Sequence, residues 1–149
     1  MKLEDAIKQT SFKNEDERLI INLIYTSSCI TSEQNRFFKR YGISPQQYNV
    51  LRILRGQFPN PASVGLIQER MLDKMSNASR LIEKLKQKKL VKRSECNNDR
   101  RQVDVIITDE GLTLLANIDN ESAEMHKVCI ALNPTEKKSL NNLLDKLRN

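Results

Sequence analysis

Residues 71–108 read MLDKMSNASRLIEKLKQKKLVKRSECNNDRRQVDVIIT, and this stretch decides the fold. Its first half has apolar residues at Leu81, Ile82 and Leu85, the spacing of a helix with one buried face. In its second half an extended segment starts at Leu90, and apolar residues alternate with others over 103–108, as in a strand with one buried face. Residues 94–99, between these two segments, are rich in turn formers. The stretch therefore predicts a helix followed by an antiparallel β-hairpin.

The positive charge of the chain is concentrated in the same region. Residues 70–101 hold eleven basic and four acidic residues, a net charge of +7, whereas the whole chain carries +6. A localised basic patch is what a polyanionic partner requires, because neutralising phosphates releases counterions. Charge alone fits a solvated, lysine-rich helix face equally well. The patch therefore favours double-stranded DNA as a partner without deciding the point.

Two helices joined by a sharp corner are predicted upstream. Apolar residues at helical spacing predict a long helix over 16–41, with Gly42 as its C-cap. Ser44-Pro45-Gln46-Gln47 then places a hydroxyl at the N-cap, proline at N1 and glutamine at N3, which marks the start of the next helix. That helix is expected to end near Gly56, and residues 1–14 are expected to form a short helix or an arm.

The segments just before the basic helix have the pattern of a helix-turn-helix. Two prolines make residues 57–62 a connector, because proline cannot extend a helix. Ser63 then caps a short helix that ends at about residue 70. A tight turn follows, with Asp73 or Ser76 as the N-cap of the basic helix. Two short helices joined by a tight turn, the second one basic on its outer face, predict a DNA-reading unit.

Two further helices are predicted after the hairpin. Thr108 caps one that runs to about residue 131, and Asn133 caps the last one, because each side chain can accept from free backbone N–H groups. The last helix carries a leucine face, which needs a partner surface. Packing against the first long helix of the same chain and packing against a second copy both remain open, and a two-fold homodimer is the expectation.

Composition argues against several classes of function. With 149 residues the chain can bury one good core, and its apolar clusters are far too short to cross a bilayer, so we expect a compact cytoplasmic protein. His126 is the one histidine, which leaves little material for a catalytic triad or a metal site, so no enzyme, metal or cofactor is expected. The cysteines form no C-x-x-C pair. Cys29 and Cys129 are expected to be packed, whereas Cys96, in the hairpin tip, is open to oxidation.

Three motifs of the deciding region resemble the MarR family of bacterial winged-helix transcription regulators. They are SNASRLIEKL at 76–85, KLVKR at 89–93, and DRR at 99–101 followed by VDVIITDEG at 103–111. The helix that begins SPQQYNVL at 44–51 also resembles the second helix of that family. The resemblance covers about residues 16–148. It implies a mainly α-helical winged helix-turn-helix with a small antiparallel β-hairpin wing. The regions it implies are a helical dimerisation region, 1–43 and 109–149, and a winged helix-turn-helix DNA-binding region, 44–108.

The resemblance also implies a function. The chain would be a homodimeric transcriptional regulator, more often a repressor than an activator, that binds a pseudo-palindromic operator and is released by a small phenolic or apolar effector. A recognition helix would enter the major groove and the wing the minor groove. The residues implied to bind DNA are Ser76, Asn77, Ser79, Arg80, Lys84, Arg93, Arg100 and Arg101. Asp99 would hold the shape of the wing. An effector crevice would be lined by Tyr25, Phe37, Tyr41 and Tyr48.

Two rival functions remain at this stage. The first is a protein-interaction module that keeps the winged-helix fold but has lost sequence reading, and the second, much weaker, is an enzyme. A comparison of affinities separates the regulator from the interaction module, because a regulator binds its own site far more tightly than random DNA.

Overall fold

The computed structural model describes residues 1–94 and 104–149, and in these ranges the chain is mainly α-helical with a small antiparallel sheet. The helices are α1 (Leu3–Ile7), α2 (Glu15–Lys39), α3 (Pro45–Gln57), α4 (Val64–Arg70), α5 (Ala78–Gln87), α6 (Asp109–Asn120), α7 (Ser122–Met125) and α8 (Pro134–Arg148), with a 3-10 turn at Lys127–Cys129. The strands are β1 (Ala62–Ser63), β2 (Val91–Ser94) and β3 (Asp104–Ile107). The predicted fold class is confirmed.

The corner between α2 and α3 forms as the sequence predicts. Gly42 has φ +68°, the left-handed backbone that ends a helix and favours glycine. Ser44 Oγ accepts from the Gln47 N–H at 3.1 Å, and Gln47 Oε1 accepts from the Ser44 N–H at 3.1 Å. Lys88, just after α5, donates from Nζ to the Gly42 carbonyl and to Gln47 Oε1. The corner is therefore fixed by its own caps and by the end of α5.

The three strands lie in the order β1-β3-β2, and both pairings are antiparallel. Val105 and Ile107 are buried on one face of β3, as the alternation predicts. The sequence analysis missed β1, in which Ala62 pairs with Val105 and Ser63 with Asp104. A strand of two residues after a proline-containing connector has no periodicity to detect. The predicted two-stranded ribbon is therefore corrected to a three-stranded sheet.

The core lies where α3 packs against α5, α6 and β3. Its largest fully buried side chains are Phe38, Val50, Leu51, Leu54, Ile67, Met71, Leu85, Val105, Ile107, Leu115 and Ile118. At the edge of the core, the N-terminus of α6 lies close to the start of β2. Thr108, the N-cap of α6, donates from its N–H to the carbonyl of Leu90, the residue before β2, at 3.1 Å. A Cβ added at the buried Gly111 would stand 2.7 Å from Ile107 Cγ1 and closer still to the Leu90 carbonyl oxygen. Position 111 therefore has no room for a side chain.

The helix predicted to run from 109 to about 131 is broken. Helix α6 starts at the Thr108 cap as predicted, but it ends at Asn120, and Glu121 has φ −105° and ψ 18°, outside the helical region. Residues 119–122 are Asp-Asn-Glu-Ser, and Asp, Asn and Ser favour helix ends because their side chains compete for nearby backbone groups. The short α7 and the 3-10 turn follow. The prediction of one continuous helix is therefore wrong.

Helix α8 begins as predicted, since Asn133 Oδ1 accepts from the Glu136 N–H at 3.0 Å and the Asn133 N–H donates to Glu136 Oε2 at 2.8 Å. Its leucine face, however, stays open in the single chain, because Leu140, Leu143 and Leu147 are 44–61% exposed. Intrachain packing of this face, one of the two alternatives, is thus not realised. Over 1–94 and 104–149, no helix combines the length and the apolar character needed to cross a membrane.

Candidate nucleic-acid interface

Helix α5 separates an apolar face from a polar, cationic one. The buried face consists of Ala78, Ile82 and Leu85, each at most 3% exposed. The outward face carries Ser79, Arg80 and Lys84, all exposed. Arg80 and Lys84 are one helical turn apart, and neither has an ion-pair partner among the residues that the structure describes. This face can therefore offer two positive side chains and a short hydroxyl to a polyanion.

Asn77 caps the N-terminus of α5, so the prediction of Asp73 or Ser76 as the cap is wrong. Asn77 Oδ1 accepts from the Arg80 N–H at 3.0 Å. Asp73 shapes the preceding turn instead, since its carboxylate accepts from the Met75 N–H and from the Ser76 hydroxyl, each at 3.0 Å. Asp, Ser and Asn side chains are all able to cap a helix, so local sequence could not choose between them. Ser76 and Asn77 therefore hold the helix end in the free chain.

Two polar side chains that the sequence analysis missed fix the turn between α4 and α5. Gln68 Oε1 accepts from the Ala78 N–H at 3.0 Å. Asn49, on α3, accepts through Oδ1 from the Leu72 N–H at 2.8 Å. The Ala78 N–H is one of the first N–H groups of α5, which a helix leaves without partners, and the Leu72 N–H lies just beyond the C-terminus of α4. The position of α5 relative to α3 and α4 is set in part by these two side chains.

Arg93, on β2, is paired with the side of α5. Its guanidinium lies 2.9 Å from the Glu83 carboxylate, and both side chains are about half exposed. An exposed pair of this kind contributes little stability and can exchange partners. Arg93 therefore stands beside the basic face of α5, at the base of the hairpin. The remaining predicted wing residues, Asp99, Arg100 and Arg101, and also Cys96, lie outside the described residues.

A cleft of about 90 Å³ lies between the C-terminal half of α2 and the segment after α6. Its apolar lining residues are Ile30, Phe37, Met125 and Val128, and its charged ones are Glu33, Arg36, Arg40, Glu124 and Lys127. Arg40 pairs with Glu121 and, at 2.7 Å, with Glu124. Lys127 pairs with Glu33 at 3.0 Å. The cleft therefore combines an apolar wall with ion pairs at its rim.

The predicted crevice residues are only partly brought together. Phe37 lines the cleft, and its ring lies 5.2 Å from that of Phe38, which in turn lies 4.4 Å from that of Tyr48 in the core. Tyr41 is half-buried beside Phe37, and its buried hydroxyl has no hydrogen-bond partner in the described ranges. Burial raises the pKa of Tyr41. Three of the four predicted aromatics thus cluster at the α2–α3 corner.

The fourth predicted aromatic residue, Tyr25, lies further back along α2 beside Cys29, and a hydrogen bond with that thiol raises the pKa of Tyr25. Both Cys29 and Cys129 are exposed in the single chain, so the prediction that they are packed is wrong for it. The apolar residues near them in sequence gave the wrong indication, because Ile30 and Val128 line the cleft while the two thiols beside them are exposed. His126 is exposed. No cluster of potential metal ligands occurs over 1–94 and 104–149.

The ion pair between Arg40 and Glu124 predicts a pH-dependent contribution to stability. The hydrogen bond from Arg40 holds the pKa of Glu124 below its usual value of 4.5. A carboxylate with a lowered pKa stabilises the fold at neutral pH, and this contribution is lost as the pH falls below 4.5 through the pKa of the folded state. Glu124→Gln should therefore lower the melting temperature slightly at pH 7 and have a smaller effect at pH 3. Thermal unfolding at both values measures this.

The control for this prediction is the same substitution in an Arg40→Met background. Without the guanidinium, Glu124→Gln should have no pH-dependent effect on the melting temperature. A pH-dependent effect of equal size in both backgrounds would assign the lowered pKa to another cause.

Comparison with known proteins agrees with this geometry. The family model of the MarR family matches residues 41–102, which span the α2–α3 corner, the helix-turn-helix and β2. The HTH-type transcriptional regulator MgrA of Staphylococcus aureus is 29% identical over 113 residues, which is 76% of this chain and 75% of MgrA.

Two solved structures have the same fold. Bordetella bronchiseptica BpsR, described for the regulation of its DNA binding by 6-hydroxynicotinic acid, aligns over 89% of this chain and all of its own, with a TM-score of 0.74 and 23% identity. S. aureus MepR in complex with DNA aligns over 92% of this chain and 97% of its own, with a TM-score of 0.72 and 18% identity. The family match over residues 41–102, the similarity to the regulator MgrA and the shared fold lead to one conclusion: this chain contains a winged helix-turn-helix similar to that of the MarR family of transcriptional regulators.

Proposed function

We propose that this chain binds a pseudo-palindromic DNA operator as a homodimer, represses transcription there, and is released by a small phenolic or apolar effector. The observation that carries the proposal is the outward face of α5. Arg80 and Lys84 are exposed one turn apart, without ion-pair partners among the described residues, beside a helix N-terminus that is capped and fixed. Such a face suits a recognition helix in the major groove, where short and cationic side chains reach bases and phosphates.

In this proposal each residue that is predicted to bind DNA has a defined role. Ser79, Arg80 and Lys84 read bases or bind phosphates from α5, while Ser76 and Asn77 approach the backbone at its N-terminus. Arg93 exchanges Glu83 for a phosphate at the base of the wing. Arg101 enters the minor groove, with Arg100 on a phosphate and Asp99 shaping the wing.

The dimer is supported by apolar residues that the single chain leaves exposed near its two ends. They are Leu19, Ile20, Leu23 and Ile24 on α2, Val128 and Ile130 in the segment after α7, and Leu140, Leu143 and Leu147 on α8. Exposed apolar side chains in this number, on segments near both ends of the chain, are typical of surfaces that are buried in an interface. In the proposed protein, residues 1–43 and 109–149 form the dimer, and residues 44–108 of each copy read one half-site.

Effector release is supported by the cleft at the end of α2. Its apolar wall and ion-paired rim fit a small aromatic molecule with one polar or anionic group. BpsR, whose DNA binding is regulated by 6-hydroxynicotinic acid, has the same fold. An effector acts only if it binds one arrangement of the two DNA-reading regions better than the other.

The decisive experiment selects DNA bound by the purified protein from sheared genomic DNA of the organism that encodes it. The recovered site and a random duplex of equal length are then compared at physiological salt. We expect the recovered site to bind at least about a thousandfold more tightly. Equal affinities would favour the protein-interaction module with a winged-helix fold.

Arg80→Ala is the matched variant for this experiment. Because Arg80 projects from the outward face, its loss should weaken binding to the recovered site by about ten- to a hundredfold, with the fold unchanged. Lys138→Ala, which removes an exposed positive charge from α8, should leave the affinity nearly unchanged. A similar loss in both variants would indicate general attraction to DNA and not recognition by α5.

A further inference from the structure

The turn between α4 and α5 carries a solvent-exposed apolar side chain. Met75 is 93% exposed, more than any other large apolar side chain described between residues 2 and 94. Single exposed apolar residues are ordinary on protein surfaces. Met75 differs because it stands two residues before the cap of the basic helix, at the end that a recognition helix turns toward base edges.

The backbone that carries Met75 is fixed on both sides. Its own N–H donates to Asp73 Oδ1 at 3.0 Å, and the next residue, Ser76, donates from its hydroxyl to Asp73 Oδ2 at 3.0 Å and from its N–H to the Asp73 carbonyl at 3.1 Å. Gln68 secures the far side through the Ala78 N–H. The exposure of Met75 therefore follows from a turn held in place by hydrogen bonds.

The segment that carries Met75 holds charges of both signs with a small positive excess. Arg70, Lys74 and Arg80 are basic and exposed, whereas Glu69 and Asp73 are acidic, and the Asp73 carboxylate accepts from the Met75 N–H. An exposed apolar side chain beside this positive excess complements a surface that is anionic at its edges and apolar at one point. DNA has such a surface in the major groove, where the phosphates flank the base edges.

A methionine can distinguish only one group in that groove. Its thioether has no donor and is only a weak acceptor, so it cannot hydrogen-bond to base carbonyl groups and discriminates poorly between base amino groups. The C5-methyl group of thymine is the apolar group that the major groove presents. From the placement of Met75, we propose that this residue determines part of the operator specificity by packing on a thymine methyl group. This inference rests on the proposed operator binding.

The test replaces each thymine of one half-site of the recovered operator by deoxyuridine, which keeps every hydrogen bond and removes the methyl group. For the wild-type protein, one substitution should weaken binding about fourfold, the effect of burying one methyl group. For Met75→Ala, the thymine and deoxyuridine operators should bind equally well at that position. Met75→Gln, which keeps the length of the side chain but makes it polar, should abolish the difference in the same way.

Leu72→Ala is the matched control, because Leu72 is 86% exposed at the start of the same turn and its backbone is held by Asn49. This variant should keep the full penalty for deoxyuridine. The inference is overturned if no thymine shows a penalty in the wild type, or if the penalty persists in Met75→Ala. A protein that binds no site more tightly than random DNA would instead fail at the proposed function, and the two failures are therefore distinguishable.

Discussion

Gly111→Ala is expected to cost about 3 kcal/mol of unfolding free energy, although alanine normally stabilises a helix relative to glycine. The added Cβ would stand 2.7 Å from Ile107 Cγ1 and closer to the Leu90 carbonyl oxygen. That carbonyl cannot retreat freely, because it accepts from the Thr108 N–H. Either α6 shifts away from the sheet or the start of β2 is displaced. Thermal unfolding at fixed protein concentration should show a decrease on the order of 10 °C.

Gly65→Ala is the control, because Gly65 is also a helical glycine, near the start of α4. An added Cβ there has Ser63 Oγ at 3.9 Å as its nearest neighbour, an ordinary contact. Stability should stay unchanged or rise by up to about 1 kcal/mol. If both substitutions had the same effect, the close approach of α6 to Leu90 would not explain the presence of glycine at position 111.

The second large effect is expected from Leu143→Asp on α8. Leu143 is 61% exposed in the single chain, so a carboxylate there should leave the fold of each copy intact. In the proposed dimer the same side chain is buried, and an unpaired charge at that place is costly. The variant should elute as a monomer. Its affinity for the full operator should fall by a factor on the order of a hundred or more, because the two half-sites would no longer be bound by linked copies.

Asn142→Asp introduces the same charge on the opposite side of α8 and should remain dimeric with unchanged affinity. Light scattering after gel filtration gives the mass of each variant, and circular dichroism checks its helix content. A wild-type protein that is monomeric at micromolar concentration and also binds the operator as a monomer would contradict the proposed dimer.

The parts of the fold that the sequence predicted correctly depend on local chemistry. Ser44 with Gln47, Thr108, and Asn133 with Glu136 cap their helices through side chains at most three residues away, so a short stretch contains all the partners. The two faces of α5 follow from its periodicity in the same way. The outward Arg80 and Lys84 were therefore predictable.

The parts that it missed depend on partners far away in the chain. Strand β1 exists because Ala62 meets Val105, and the turn before α5 is fixed by Asn49, which is 23 residues from Leu72. Choosing Asn77 as the cap required knowing that Gln68 takes the Ala78 N–H. Cys29 was misplaced because it is exposed in the single chain although Tyr25 and Ile30, its apolar neighbours on α2, are half-buried.

The hydrogen bonds of Lys88 have a mechanical consequence. One ammonium group binds the Gly42 carbonyl and Gln47 Oε1, so the C-terminal end of α5 is tied to the corner between α2 and α3. A tilt of α2 that preserves these bonds would move that end of α5 with it. In the proposed complex with DNA, the angle at which α5 enters the groove would then depend on the last turn of α2, the turn that also supplies Phe37 to the cleft.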